Sequence, residues 1–86
     1  MEEEIGRITH YFSKLGVAVV EVTAESLKVG ETIRIKGHTS DFTQSVESLQ
    51  QEHLSVPEIR KGVSAGIKVK EHVREGDRVY RVKEGA

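Results

Sequence analysis

Apolar and polar positions alternate with a period of two along much of this chain, the mark of strands that bury one face. Ile33 and Ile35 alternate with Thr32, Arg34 and Lys36, which predicts a strand from Thr32 to Gly37. Val63, Ala65, Ile67 and Val69 repeat the pattern and predict a strand from Val63 to Lys70; Val79 to Val82 is a shorter one. Ile5 to Phe12 is rich in β-branched and aromatic residues, which suit a pleated surface. In Val17 to Thr23, Ala18, Val20 and Val22 share one side, and Val17 and Val19 make the other side apolar too. Much of that strand is expected to be covered.

The connections carry turn chemistry. Leu27-Lys28-Val29-Gly30-Glu31 runs directly into the strand at Thr32, and Gly30 supplies the positive φ that a tight turn demands. Val73-Arg74-Glu75-Gly76-Asp77 repeats this glycine-acid grammar ahead of Val79. Ser13-Lys14-Leu15-Gly16 reads as a hairpin loop, and His38-Thr39-Ser40-Asp41 as a polar turn. A long strand is expected from Phe42 to about His53. Its apolar set changes phase between Val46 and Leu49, which a β-bulge near Ser48 accounts for; a helix from Val46 to Leu54 is the competing reading. Val56 to Gly62 reads as one helical turn, with Pro57 at its first position and Gly62 closing it. Six short strands with turns between them predict an all-β fold, a small closed six-stranded antiparallel barrel. The whole chain, 1–86, is read as one domain with its core over about 5–82.

Composition narrows the function. With 86 residues the chain has no room for a nucleotide-binding domain beside a barrel. Cysteine is absent, which removes disulfides and thiolate metal sites. The longest apolar run, Val17-Ala18-Val19-Val20, is far short of the ~20 residues that span a bilayer, and Glu2-Glu3-Glu4 is the reverse of a basic leader. A soluble, cytoplasmic protein without membrane contact is expected. The formal charge is −1, yet residues 1–59 carry −5 and residues 60–83 carry +5. That asymmetry fits a polyanion-binding face or a plainly solvated exterior.

Catalytic chemistry is not signalled. There is no GxxxxGK[ST] loop, so GTP binding by this chain is not expected. His10, His38, His53 and His72 are scattered with no HxH, HxxxH or HExxH spacing, so neither a metal site nor an activated nucleophile is expected. No cofactor and no enzyme activity are expected.

Gly6-Arg7-Ile8-Thr9, the hairpin, Leu27 to Ile35, Val46-Glu47, Gly66-Ile67 and Arg74-Glu75-Gly76-Asp77 follow the order of the domain 2 barrel of elongation factor Tu, which the chain resembles. His38 to Gln44 and Val46 to Gln50 more closely resemble stand-alone translation-factor-like proteins and the C-terminal barrel of collagenase-like peptidases, some of whose relatives hydroxylate tRNA. The resemblance implies an accessory barrel that positions RNA or docks a catalytic neighbour. It implies a pocket role for Glu47, where the factor has a glutamate facing the terminal adenosine of tRNA. The factor's arginine and asparagine at that pocket are replaced by Gln50 and Ser64.

The first expectation is therefore a non-catalytic module that contacts tRNA or another RNA. Its candidate contacts are Arg34 and Lys36 on one strand with His38 just beyond, Lys68 and Lys70 on another, Arg74 at the start of the last turn, and Glu47 from the resemblance. Tyr11 and Tyr80 are possible stacking platforms. The alternative is a protein-docking barrel that completes a separate GTPase, peptidase or tRNA-modifying subunit, with Val17 and Val19 as its apolar contact.

Overall fold

A computed structural model describes residues 2–52 and 54–82. These form ten strands: β1 (Glu2–Phe12), β2 (Val17–Val22), β3 (Ser26–Lys28), β4 (Thr32–Lys36), β5 (Asp41–Ser45), β6 (Leu49–Gln51), β7 (Leu54–Val56), β8 (Glu58–Arg60), β9 (Ser64–Lys68) and β10 (Arg78–Val82). Eight pair antiparallel in the order β5-β4-β10-β1-β2-β9-β6-β7, while β3 and β8 form a separate pair. The fold is all-β, and no helix occurs among the described residues. None is therefore long and apolar enough to cross a membrane.

The alternating segments fold as read. Ala18, Val20 and Val22 are buried while Val17, Val19 and Glu21 are half-buried; Ile33, Ile35, Ala65, Ile67 and Val79 also enter the core. Burying such a side chain contributes about 1.5–3 kcal/mol, so these stripes are the main source of stability. Both glycine-acid turns form. Gly30 has φ +96° and Gly76 has φ +93°. In each, the acid's N–H donates back across the turn and its carboxylate accepts from the first turn residue. Lys28 N–H reaches Glu31 Oε1 at 2.7 Å, and Arg74 N–H reaches Asp77 Oδ2 at 3.0 Å. The repeated grammar is thus a repeated hydrogen-bond device that launches β4 and β10.

Three expectations change. β1 is bulged twice, at Ile5 against β10 and at Thr9 against β2. The first of them lets Ile5 and Ile8, three residues apart, both point inward. The long strand expected over Phe42 to His53 is instead β5 and β6, separated at 46–48; His53 itself lies outside the described residues. Across this break Phe42, Val46 and Leu49 are all buried, so the change of phase is made by an interruption of the pairing and not by a helix. The helical turn at Pro57 is overturned: Pro57 lies between β7 and β8, because Ile59 reaches the core by pairing with Leu27 of β3.

The sheet differs from a six-stranded barrel in count, and no backbone ladder closes it among the described residues. Six neighbours, β5-β4-β10-β1-β2-β9, nevertheless have their outer rims drawn together by a side chain. The end of β5 is held by the first glycine turn, where Gly30 N–H donates to Val46 O and Val46 N–H to Glu31 O, both at 2.8 Å. At the opposite side Glu2 pairs with Val82, so β1 begins where β10 ends.

Candidate functional site

The seam between β5 and the end of β9 is where polar chemistry gathers. Phe42 and Val46 both point into the core, so Gln44, midway between them, has inward parity as well. A polar side chain placed there must be satisfied. Its Nε2 donates to Lys68 O at 2.7 Å, and its Oε1 accepts from Lys70 N–H at 2.9 Å. These two groups flank Val69, and a neighbouring strand would engage the same alternate groups with one residue's N–H and C=O. Gln44 therefore stands in for a strand residue across the seam.

A shallow cleft of about 320 Å³ opens over this clip, lined by Gln44, Ser45, Glu47, Lys68, Val69 and Lys70. A second of about 190 Å³ shares Lys68 and continues past Val17, Ser48, Gln50 and Gly66. β6 touches β9 here through the single pair Gln50–Gly66. The residues in contact thus offer two lysines, one glutamate and several amide or hydroxyl groups.

The cleft brings together Glu47, Lys68 and Lys70 of the sequence-derived candidates, and leaves out Arg34, Lys36, His38 and Arg74. Arg34 is engaged two-pronged by Asp41, with Nε–Oδ1 at 2.7 Å and an Nη2–Oδ2 bond at 2.8 Å. That hydrogen bond holds the Asp41 carboxyl below its ordinary range; burial opposes it, and the charges of Arg34 and Lys36 add to it. Lys36 stands opposite Asp41 in the β4–β5 register. His38 is exposed in the turn after β4, and Arg74 is exposed in the turn before β10. Val17 and Val19 are half-buried, and Val17 lines the second cleft.

A different surface is the β1–β2 hairpin tip. Phe12 is 44% and Leu15 67% exposed, beside a hollow of about 450 Å³ that also takes in Tyr11, Ser13 and Lys14. Tyr11 packs edge-on against His72, with ring centroids 4.8 Å apart, and His10 lies against Phe12 at 4.5 Å. Tyr80 is half-buried on β10, opposite Glu4 and Arg34. Among the described residues no three His, Cys, Asp or Glu side chains converge as a metal site would require.

Gln44 was not among the candidates read from sequence. Its signal was present: a glutamine two residues from a buried apolar residue on either side, in a strand whose other face is polar.

No family model matches the chain. Its fold superposes with a TM-score of 0.87 on the C-terminal domain of a Geobacillus thermoleovorans protein described as a U32 peptidase, at 20% identity, covering 94% of this chain and 93% of that domain. The chain has the fold of that peptidase C-terminal domain. In sequence it is 43% identical over 82 residues to a Methanocaldococcus jannaschii protein described as an uncharacterized protease. It is 40% identical over 78 residues to a collagenase of Porphyromonas gingivalis. These alignments cover 94% and 90% of this chain but only 20% and 22% of the relatives, so the chain spans about a fifth of their length. Of the two resemblances read from sequence, the collagenase-like one is the one these matches share.

Proposed function

We propose that the chain is a non-catalytic docking domain of the collagenase-like type, which binds a separately folded catalytic part. The observation that carries this reading is the pair of coverages: nearly the whole chain aligns with the relatives, and the relatives extend about fourfold beyond it. The exposed apolar hairpin tip supplies a surface of the kind partners cover. The RNA reading has less behind it, because the cleft that gathers Lys68 and Lys70 omits Arg34, Lys36, His38 and Arg74.

The test is direct. The Methanocaldococcus relative lacking its matching fifth is mixed with this chain at about 10 µM, within the range of a moderate interface. Light scattering behind size exclusion is expected to show a one-to-one complex. Two independent peaks at that concentration would reject the docking reading.

A further inference from the structure

We infer that the seam between β5 and β9 is a slot for an extended peptide with acidic residues at alternate positions, which pairs with residues 68–70 in place of the Gln44 side chain. The argument starts from what Gln44 does. The Lys68 carbonyl and the Lys70 N–H are main-chain groups at a sheet rim, and a strand would ordinarily satisfy them. Here an amide on a flexible stem performs that task, at 2.7 Å and 2.9 Å. An incoming strand offers the same N–H and C=O, so it replaces the glutamine group for group, and the glutamine turns to water.

The surroundings select the peptide. A cleft of about 320 Å³ already lies over the clip, giving the incoming chain its entrance. Lys68, the last residue of β9, and Lys70, two residues on in the bend that follows, are both exposed and both line the cleft. Among the described residues neither has a carboxylate within 4.0 Å, a state shared with the other lysines, so what sets these two apart is their place beside the cleft. A peptide strand spaces its side chains identically, so carboxylates at positions i and i+2 meet both lysines. Glu47 on the opposite lip disfavours a third acid facing it. Strand addition of this kind takes affinity from backbone bonds and selectivity from alternate side chains. That the peptide belongs to the catalytic partner rests on the docking reading; the slot itself does not.

The experiment is a nitrogen-15 amide titration of the full chain with a blocked octapeptide of alternating Glu and Thr. The Lys68, Val69 and Lys70 amides and the Gln44 side-chain NH₂ are expected to shift together. The same peptide with Lys for Glu is expected to bind at least tenfold more weakly, and K68E/K70E to reverse that preference. Q44A, which leaves the slot empty, is expected to bind severalfold more tightly. If Q44A fails to fold by circular dichroism, the K68E/K70E reversal decides alone. Absence of shifts at millimolar peptide, equal binding of acidic and basic peptides, or a response of these amides only to a single-stranded RNA would each overturn the slot. A one-to-one complex with the catalytic part alongside silent amides rejects the slot and keeps the docking reading. Peptide binding without that complex does the reverse.

Discussion

The carboxylate of Asp77 occupies the space that a β-carbon on Gly37 would need. A Cβ built there falls 1.9 Å from Asp77 Oδ1 and 2.4 Å from its Cγ. Asp77 is only 5% exposed and its Oδ2 is already held by the Arg74 N–H, so it has little room to yield. Gly37→Ala is therefore expected to destabilise the fold by about 1–3 kcal/mol through overpacking. Urea unfolding measures this. In a cycle with Asp77→Ala the two losses should fall well short of additive, since the second change removes the clashing atoms.

The turn glycines behave differently. Nothing lies within 4 Å of a Cβ at Gly30 or Gly76, so their need for glycine comes from φ alone. Alanine at either site is expected to cost about 1–2 kcal/mol, the price of the left-handed region for a residue with a side chain. Asparagine should recover part of that loss. Equal stability of the glycine and alanine proteins in thermal melts would contradict this account.

Gln44→Ala removes both bonds of the seam clip. At a partly exposed site each is worth about 0.5–1.5 kcal/mol net, so a total near 1–3 kcal/mol is expected. Hydrogen exchange offers a local readout: the Lys70 amide should exchange faster, while Ile35 and Val79, deep in their ladders, keep their relative protection. Gln44→Glu should lose the bond to the Lys68 carbonyl in particular, because an ionised carboxylate has no hydrogen to donate.

Acid titration should report on Arg34. The folded Asp41 carboxyl titrates below its ordinary value, chiefly because of the Arg34 hydrogen bond. A depressed carboxylate contributes stability above its unfolded pKa and loses it as pH falls through the lower, folded pKa. Arg34→Ala is expected to raise the Asp41 pKa toward the ordinary carboxylate range and to remove that acid dependence. Carboxyl carbon shifts followed by NMR measure the change; an unmoved Asp41 titration would show that the pairing is not its cause.

Leu15→Asp tests the hairpin tip. Leu15 is 67% exposed, so the change should leave the melting temperature nearly untouched while weakening association with a catalytic part at least tenfold. Undiminished association would move the docking surface elsewhere.

Regular alternation was legible wherever one strand kept one register, as at Ile33–Ile35 and Ala65–Ile67. It failed where the chain changes phase. Ile5 and Ile8 cannot share a face in an unbulged strand, and nothing local announces that β1 bulges against two different neighbours. Phe42, Val46 and Leu49 carried the phase change openly, but its cause, a break in pairing at 46–48, depends on the distant hydrogen bonds of Val46 with Gly30 and Glu31. Pro57 misled because a proline that opens a helix and one that separates two strands look alike until Ile59 finds Leu27. Of the candidate site, Lys68, Lys70 and Glu47 were named from sequence. Gln44 was missed because a glutamine amid polar residues reads as surface unless its parity is followed.

The pairing of Glu2 with Val82 has a mechanical consequence. Because β1 and β10 run antiparallel and β1 begins at the rim where β10 ends, tension applied through the two ends of the fold loads their hydrogen bonds one at a time. The bonds open in succession like a zip and do not resist together in shear. Optical-tweezer extension from these ends should meet a weak spring, and moving one handle to the hairpin at Leu15 should meet a much stiffer one.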